Sequence, residues 1–502
     1  MPEYAHAPER GSFTRSGAVM AQITGWLDGP QAARLEHADL EEQLDARIRE
    51  LGRLLLQDHL DARQARERRL EQVSGPDGIV RTQPERGHQR QLATVFGKVT
   101  VTRIAYRAPG AANVHVADAE LNLPPEMHSH GLRKRAAAEA ARGSFGQAAA
   151  AVSRATGVRL GKRQAEELTR RAAADFAGFY ASREHRPPPG LAPGDVLALS
   201  CDAKGIVMLP AALRPGAVRQ ARTAVPKQQG RLSRGEVKNR KRMAETGAVF
   251  AFTPVPRSPA DILHAPGPRP GPPPQAPRAQ RKWVTSSVAA DAAAVVASVF
   301  AEADRRDPGH DSTWIALADG NVHQLSRIRA EAAARGITVI IVCDFIHVIE
   351  YLWKAAWCFF PEASPDAGPW VRAQAAAVLD GQARETAAAI RDAITAAPQL
   401  STAKRKAAAT AADYLDAKAP WLDYPTALRS GWPISSGVIE GACRYLVKDR
   451  MDITGARWGL DTAEAVLKIR ALHANGDFDA YWAYHLQQER QRNHPGHYHL
   501  AA

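Results

Sequence analysis

Hydrophobic positions divide this chain into a helical first third, an α/β centre and further helices. Between residues 30 and 72, apolar side chains recur every three or four positions along a highly charged stretch, which predicts one long helix. The apolar stripe consists of Leu40, Leu44, Ile48, Leu51 and Leu55. Such a stripe packs either on its own chain or on a second copy.

Residues 92–107 alternate between apolar and polar side chains, with Gly97 at the turn. This pattern predicts a β-hairpin, in which we expect Arg103 and Arg107 to be exposed.

Residues 144–173 contain a helix of small side chains, a turn at Gly157 and a second, basic helix. The order predicts a helix-turn-helix whose second helix enters the major groove of DNA. Two helices joined by a glycine turn also occur in helical bundles. The DNA-contacting side chains predicted on the second helix are Lys162, Arg163, Arg170 and Arg171.

A proline-rich linker at 184–194 precedes a change to α/β character. A buried strand begins at Asp195 and ends in Asp202. Further along, an apolar strand ending in Asp319, a helix, and a second apolar strand ending in Asp344 predict a βαβ unit with central parallel strands.

The α/β pattern is interrupted by alanine-rich helices over 351–427 and resumes with residues 437–459, which predict one amphipathic helix that then gives way to a Gly/Arg/Trp segment. Its polar face carries Glu440, Arg444 and Lys448, four residues apart.

These patterns predict an α/β catalytic core with an all-α insertion, after a mainly helical N-terminal region with a β-hairpin and a helix-turn-helix. The predicted segments are a helical region (1–75), a hairpin segment (76–126), a helix-turn-helix domain (127–183), a linker (184–194), the core (195–350 and 428–480, with a basic, proline-rich loop at 209–280), the insertion (351–427) and a tail (481–502).

Composition narrows the class of partner. The chain has 502 residues and a formal net charge of +13, which favours a polyanion, with nucleic acid ahead of an anionic membrane surface. The four cysteines lack the close spacing of a zinc or redox motif. No apolar run of about 18 residues is present, so we expect no membrane insertion.

Acids at the carboxyl ends of neighbouring parallel strands meet at the ligand-binding edge of a sheet. Asp202, Asp319 and Asp344 satisfy this condition, and Glu440 adds a carboxylate from a helix. Phosphodiester cleavage uses two divalent ions held by such carboxylates. Taken singly, these acids also fit turn positions, a helix cap or a surface ion pair.

The segments CDAKGI, ADGNVHQL, CDFIHVIEYLWKAAW and GVIEGACRYLVKDRMDITGARWG resemble the DDE transposases of the bacterial ISKra insertion-sequence family, relatives of the Mutator-like group. The resemblance covers residues 190–485. It implies a ribonuclease H-like core, two bound Mg²⁺ ions with Mn²⁺ as a substitute, cleavage of transposon ends by water, and strand transfer by the freed 3′-hydroxyl.

Position by position, the resemblance implies that Asp202 is the first acid, Asp319 the second and Glu440 the third, all as metal ligands. Asp344 and His347 match a Cys/Asp-x-x-His motif of the Mutator-like relatives and are expected beside the ligands. Asp344 is the alternative second acid. Asp319 ranks above it because the second acid of this fold lies on the strand next to the first.

Three further expectations concern side chains near this site. Arg444 and Lys448 are expected to face the phosphates that flank the cut. Arg457 and Trp458 are candidates for clamping an unpaired base, although core packing is the default interpretation for the tryptophan. His347 begins a helix whose later residues Leu352, Trp353 and Trp357 are expected to be buried, so a packed histidine is an equal alternative.

The resulting functional prediction is a transposase that binds the terminal inverted repeats of its element in double-stranded DNA. Its alternatives are a metal-dependent nuclease of the same fold and a catalytically silent DNA-binding protein derived from a transposase. Synapsis of two ends implies at least a dimer on DNA. The expected location is the bacterial cytoplasm, at the nucleoid.

Overall fold

A computed structural model describes residues 13–183, 191–223, 241–263, 275–453 and 455–494. The chain forms two compact units, one of Met1–Phe179 with Asp477–Ala502 and one of Tyr180–Gly476. Most of the predicted linker, and two long parts of the predicted basic and proline-rich loop (224–240 and 264–274), lie outside the described residues.

The strands are β1 (Val73–Ser74), β2 (Val80–Arg81), β3 (Gln83–Thr94), β4 (Gly97–Arg107), β5 (Val196–Val207), β6 (Lys241–Phe252), β7 (Gln280–Ser287), β8 (Trp314–Ala318) and β9 (Val339–Cys343). The α-helices are α1 (Thr14–Leu27), α2 (His37–Arg66), α3 (Val116–Glu120), α4 (His130–Arg142), α5 (Phe145–Thr156), α6 (Lys162–Ala172), α7 (Phe176–Ala181), α8 (Pro215–Thr223), α9 (Pro259–Ile262), α10 (Ala292–Arg306), α11 (Val322–Arg335), α12 (Phe345–Phe359), α13 (Ala367–Leu379), α14 (Ala383–Ala396), α15 (Thr402–Lys418), α16 (Tyr424–Arg429), α17 (Gly437–Ala442), α18 (Asp449–Met451), α19 (Leu460–Ala474) and α20 (Phe478–Asn493). A π-helical segment spans Cys443–Lys448, and short 3₁₀ turns span Ala32–Arg34, Pro210–Ala212 and Ala419–Trp421.

In the first unit, strands β3 and β4 form an antiparallel hairpin, and β3 is longer than the sequence predicted. The expected exposure of Arg103 is wrong. Its side chain is buried and forms an ion pair with Asp118 at 2.7 Å, because α3 covers that face of the hairpin. Helix α2 buries Leu51 but leaves Ile48 and Leu55 exposed, so the first unit covers only part of the leucine stripe.

The basic helix-turn segment has the predicted elements. Ser144 caps α5 and forms a capping box with Gln147. The helix ends at Gly157, whose φ of +70° is a left-handed conformation that glycine adopts readily. Helix α6 then begins at Lys162, and α4 packs against both α5 and α6.

The predicted tail is wrong for residues 481–493, because they form most of α20. This helix buries Tyr481, Trp482 and His485. The buried Arg133 guanidinium of α4 donates to Glu489 of α20 at 2.6 Å, so the helix is a structural part of the first unit.

The second unit is built on a five-stranded mixed sheet in the order β7-β6-β5-β8-β9. Strands β7, β6 and β5 pair antiparallel, while β5-β8 and β8-β9 pair parallel. The βαβ prediction for β8, α11 and β9 is confirmed. However, β9 lies at the edge of the sheet rather than in its centre.

Side chains of β5 alternate between two cores. Val196 and Ala198 face a core formed with α12 and the insertion helices α13 to α16. Leu197 and Leu199 face a second core formed with α10 and α11. The sheet is therefore covered on both faces. The expected burial of Trp357 on α12 is wrong, because 42% of its surface is exposed.

Candidate active site at the carboxyl edge of the parallel strands

Three aspartates lie side by side at one edge of the sheet. Strand β5 pairs with β8 through Ser200 and Leu317, and continuing that register two residues further places Asp202 opposite Asp319. Strand β8 pairs with β9 through Ala318 and Cys343, so Asp319 and Asp344 are the next pair. The acids therefore form a row in the order 202, 319, 344.

Asp202 is not at the end of its strand, as the sequence suggested. Strand β5 continues to Val207, but beyond Ser200 it pairs only with β6. Strand β8 stops at Ala318, so Asp202 lies just beyond the end of the parallel pairing, and the residue is partly exposed. Asp202 thus occupies the predicted edge from within a long antiparallel strand.

Asp344 is fully buried, and its hydrogen bonds connect the start of α12 to the residue that precedes α17. One carboxylate oxygen accepts a hydrogen bond from the backbone N–H of Ile346 at 2.6 Å, which caps α12. The other accepts from the backbone N–H of Ser436 at 2.8 Å and from the Ser436 hydroxyl. Three donors already occupy a carboxylate with about four acceptor positions.

Glu440 lies on α17, which contacts Asp344 at one end of the aspartate row and β5, the strand of Asp202, at the other. Ser436, at the start of α17, bonds to Asp344, and its Oγ lies 3.4 Å from Glu440 Oε1. One turn beyond Glu440, the π-helical segment that begins at Cys443 packs against β5, the strand that carries Asp202. Burial and the nearby Asp202 carboxylate together raise the pKa of the Cys443 thiol to about 12, so the thiol is protonated at neutral pH. The exposed Glu440 therefore lies beside Asp344, at one end of the row.

The predicted helix is confirmed over 437–451 and ends before the Gly/Arg/Trp segment, but its middle part, Cys443–Lys448, is π-helical. The Arg470 guanidinium stabilises it by donating to the carbonyl oxygen of Leu446 at 2.8 Å and to that of Tyr445. Arg444 and Lys448 both lie in this π-helical segment, and both side chains are exposed. π-Helical turns recur at functional sites.

Within the described residues, the group of potential metal ligands whose atoms lie within 4.8 Å of one another is Asp344, His347 and Glu440. Asp202 and Asp319 lie outside that group. His347 is partly exposed on the first turn of α12, and its Nδ1 lies 3.5 Å from Glu350. The structure thus brings Glu440 to the alternative acid, Asp344, and to the histidine.

Asp319 has fewer hydrogen bonds than Asp344. It is partly exposed, and one carboxylate oxygen accepts from the backbone N–H of Asn321 at 2.7 Å. The insertion helix α15 approaches the same turn, where Tyr414 Oη donates to the Asp319 carbonyl oxygen at 3.4 Å. A side chain at Gly320 would meet the buried Lys418 at 3.3 Å. The helical insertion therefore supplies one wall of the site.

Trp458 packs in the core, which is the default expectation for it, and its ring is not exposed for a base clamp. Its ring is buried, its indole N–H donates to the Met451 carbonyl oxygen at 3.0 Å, and Arg450 covers one face at 4.7 Å. The backbone of Trp458 also pairs with Val207 and Leu209 at the end of β5, which explains the burial. The neighbouring Arg457 is exposed.

The four basic side chains predicted on α6 are all exposed, but their surroundings differ. Arg170 bonds to Glu167 at 2.8 Å, and Arg171 bonds to Glu126 at 2.7 Å. Lys162 and Arg163, at the N-terminal end of α6, have no ion pair within the described part of the chain. Residues at this end of a recognition helix are those that contact bases.

Sequence reasoning missed Ser436 and Lys418. Ser436 directly precedes α17, where serine is a favoured cap, so a local signal was available. Its hydroxyl instead bonds to Asp344, which only the tertiary structure shows. Lys418 lies in an alanine-rich helix about 100 positions from Asp319, and no local pattern marks it.

No protein-family model matches this chain, and no curated protein is significantly similar to it. No helix among the described residues is long and apolar enough to cross a membrane.

Proposed function

We propose that this protein is a DDE-type transposase that cuts the ends of an insertion sequence and joins them to target DNA. The observation that carries the proposal is the row of three aspartates at the carboxyl edge of the parallel strands, with Glu440 beside Asp344 at one end of that row. Convergent carboxylates at the carboxyl edge of parallel strands suit metal-dependent phosphodiester chemistry.

The sheet is compatible with the ribonuclease H-like core that the resemblance implies. Three antiparallel strands, β7, β6 and β5, are extended by two parallel ones, and helices cover both faces. The insertion helices α13 to α16 enter between β9 and the helix that bears Glu440.

The donor atoms available fit divalent ions that prefer oxygen ligands, as Mg²⁺ does and as Mn²⁺ tolerates. Asp202, Asp319 and Glu440 would hold two such ions, since all three expose carboxylate surface. When bound, the ions supply an activated nucleophile and stabilise the leaving oxygen. Asp344 orients the Glu440 helix through Ser436, and His347 lies beside them.

The cluster of Asp344, His347 and Glu440 favours a second assignment, in which Asp344 replaces Asp319 as a ligand. Against it, three protein donors already bind the Asp344 carboxylate and leave little acceptor capacity. We therefore keep Asp319 as the second acid.

The proposed DNA contacts come from both units. In the second unit the exposed Arg444, Lys448 and Arg457 follow Glu440 and suit the phosphates that flank the cut. In the first unit α6 would read the terminal repeat of double-stranded DNA. Action on two ends implies at least a homodimer on DNA, in the bacterial cytoplasm at the nucleoid.

The test is cleavage of a supercoiled plasmid that carries the DNA flanking this gene, with Mg²⁺. The variants are Asp202→Asn, Asp319→Asn, Asp344→Asn and Glu440→Gln, each first checked for DNA binding. We expect no cutting by the Asp202, Asp319 and Glu440 variants and residual cutting by Asp344→Asn.

Three other outcomes would revise the proposal. An active Asp319→Asn with an inactive Asp344→Asn would make Asp344 the second acid. Cutting without any product that joins donor to target DNA would identify a nuclease. A wild-type chain that binds DNA but never cuts with Mg²⁺ or Mn²⁺ would identify a DNA-binding protein without catalysis.

A further inference from the structure

Helix α12 carries a stripe of polar and aromatic side chains that leads away from the candidate site. At 3.6 residues per turn, His347, Glu350, Lys354 and Trp357 share one face of the helix. His347 belongs to the cluster with Glu440, and Trp357 lies about 15 Å further along the axis. The stripe therefore connects the candidate site to an aromatic surface.

The aromatic surface is exposed and ordered. The rings of Trp353 and Trp357 stack with centroids 5.2 Å apart and an interplanar angle of 25°. Trp353 packs partly on the core, whereas 42% of Trp357 is exposed. A stacked, exposed indole offers a flat face on which a planar ligand can bind.

A second series of rings links this surface to the acids. The Lys354 ammonium lies 4.4 Å from the centroid of the Tyr351 ring, and that ring stacks on Tyr414 at 4.0 Å and 14°. Tyr414 Oη donates to the carbonyl oxygen of Asp319. A ligand held at Trp357 and Lys354 would thus lie along the wall that begins at the second acid.

The charged side chains around the aromatic surface favour a ligand that carries negative charge. Lys354 is exposed on the aromatic surface, and Lys404 of α15 reaches the end of α12, where its ammonium donates to the Cys358 carbonyl oxygen at 3.4 Å. Glu350 pairs with His347 at 3.5 Å, so the acidic end of the stripe is the end near the metal ligands. Flat rings flanked by lysines suit bases and phosphates together.

We propose that Trp357 and Lys354, supported by the rings of Trp353 and Tyr351 behind them, form a binding surface for unpaired nucleotides of single-stranded DNA next to the cut. The identification of the nucleic acid as DNA rests on the proposed function. Stacking needs free base faces, so the surface would take a single strand and not an intact duplex. A second copy of this chain is a poorer occupant, because both copies carry a net charge of +13.

The test is fluorescence anisotropy of a labelled oligothymidylate of about 20 nucleotides with the full chain in EDTA, where no cleavage occurs. We expect Trp357→Ala to weaken binding about fivefold to a hundredfold, and Lys354→Gln to weaken it less. Trp357→Phe, which keeps a ring, should lie between wild type and Trp357→Ala. Affinity for a duplex of the same length should change less than about twofold.

Phe96→Ala is the matched control, because Phe96 is a similarly exposed aromatic residue in the hairpin of the first unit. Equal oligonucleotide affinity of wild type and Trp357→Ala would overturn the inference. So would a change in sedimentation of Trp357→Ala with unchanged affinity, which would assign the surface to a second copy. A wild-type chain that binds the oligonucleotide through Trp357 but never cuts DNA would support this surface while overturning the proposed chemistry.

Discussion

At the scale of single residues, the four acids of the site have different environments. Asp344 is buried with three hydrogen-bond donors, whereas Asp202, Asp319 and Glu440 expose part of their carboxylates. When a buried hydrogen-bond acceptor is removed, its donors are left without a partner, and this lowers the free energy of unfolding by about 1–3 kcal/mol. The free energy of unfolding of variants at these positions therefore distinguishes an acid that holds the structure together from an acid that is available to bind a metal ion.

We predict that Asp344→Asn lowers the free energy of unfolding by about 1–3 kcal/mol, because one oxygen acceptor becomes an amide donor facing Ile346 or Ser436. Ser436→Ala should cost less, since only the hydroxyl bond is lost. Asp319→Asn should cost less than about 0.5 kcal/mol, because that side chain is partly exposed. Urea denaturation measures all three. An Asp344→Asn variant as stable as wild type but unable to cut would make Asp344 a ligand.

At the scale of elements, α6 presents two kinds of basic residue. Its C-terminal arginines are paired with Glu167 and Glu126, and its N-terminal Lys162 and Arg163 are exposed without such pairs among the described residues. Pairing with an acid reduces the charge that an arginine offers to phosphate. The N-terminal end of α6 is therefore the stronger candidate for DNA contact.

We predict that the double variant Lys162→Ala, Arg163→Ala binds a terminal-repeat duplex more weakly than wild type. The negative slope of log K against log salt concentration should also become shallower by about two. Arg170→Ala with Arg171→Ala, the control of equal charge change, should have a smaller effect on both quantities. Filter binding over a salt series measures them. A larger effect of the Arg170 and Arg171 pair would place the DNA elsewhere on the helix.

At the scale of the whole molecule, titrating groups in the first unit make stability depend on pH. Burial lowers the pKa of His130 from 6.5 to about 4, while its Nε2–H donates to the Asn122 carbonyl oxygen at 2.9 Å. Burial and the nearby Arg103 likewise lower the pKa of His115 to about 4. Both rings are therefore neutral in the folded chain at neutral pH.

We predict that stability falls as the pH drops from about 6.5 to about 4, because the unfolded chain binds protons at these histidines before the folded one does. Above pH 6.5 both states are neutral, and this contribution is fully present. His130→Gln can still donate to Asn122 but does not titrate, so its decline should be shallower. Urea midpoints over a pH series test this, and parallel curves for the two proteins would refute it.

The sequence by itself determined most local elements and the acids that end the parallel strands. The β8-α11-β9 unit, the hairpin of β3 and β4, and the helix pair of α5 and α6 follow from periodicity, caps and glycine turns. These signals act over a few residues, so they can be read along the chain.

Only the tertiary structure decided which acids are buried and hydrogen-bonded, and which tryptophans are buried or exposed. The hydrogen bond from Ser436 to Asp344, and the packing of the segment Cys443–Lys448 against β5, join residues that are more than 90 positions apart. The burial of Trp458 depends on the end of β5, and the exposure of Trp357 on how α12 packs against the insertion. The hydrophobic pattern of the sequence describes one element at a time. Burial and the number of hydrogen bonds depend instead on which distant element packs against that element in the fold.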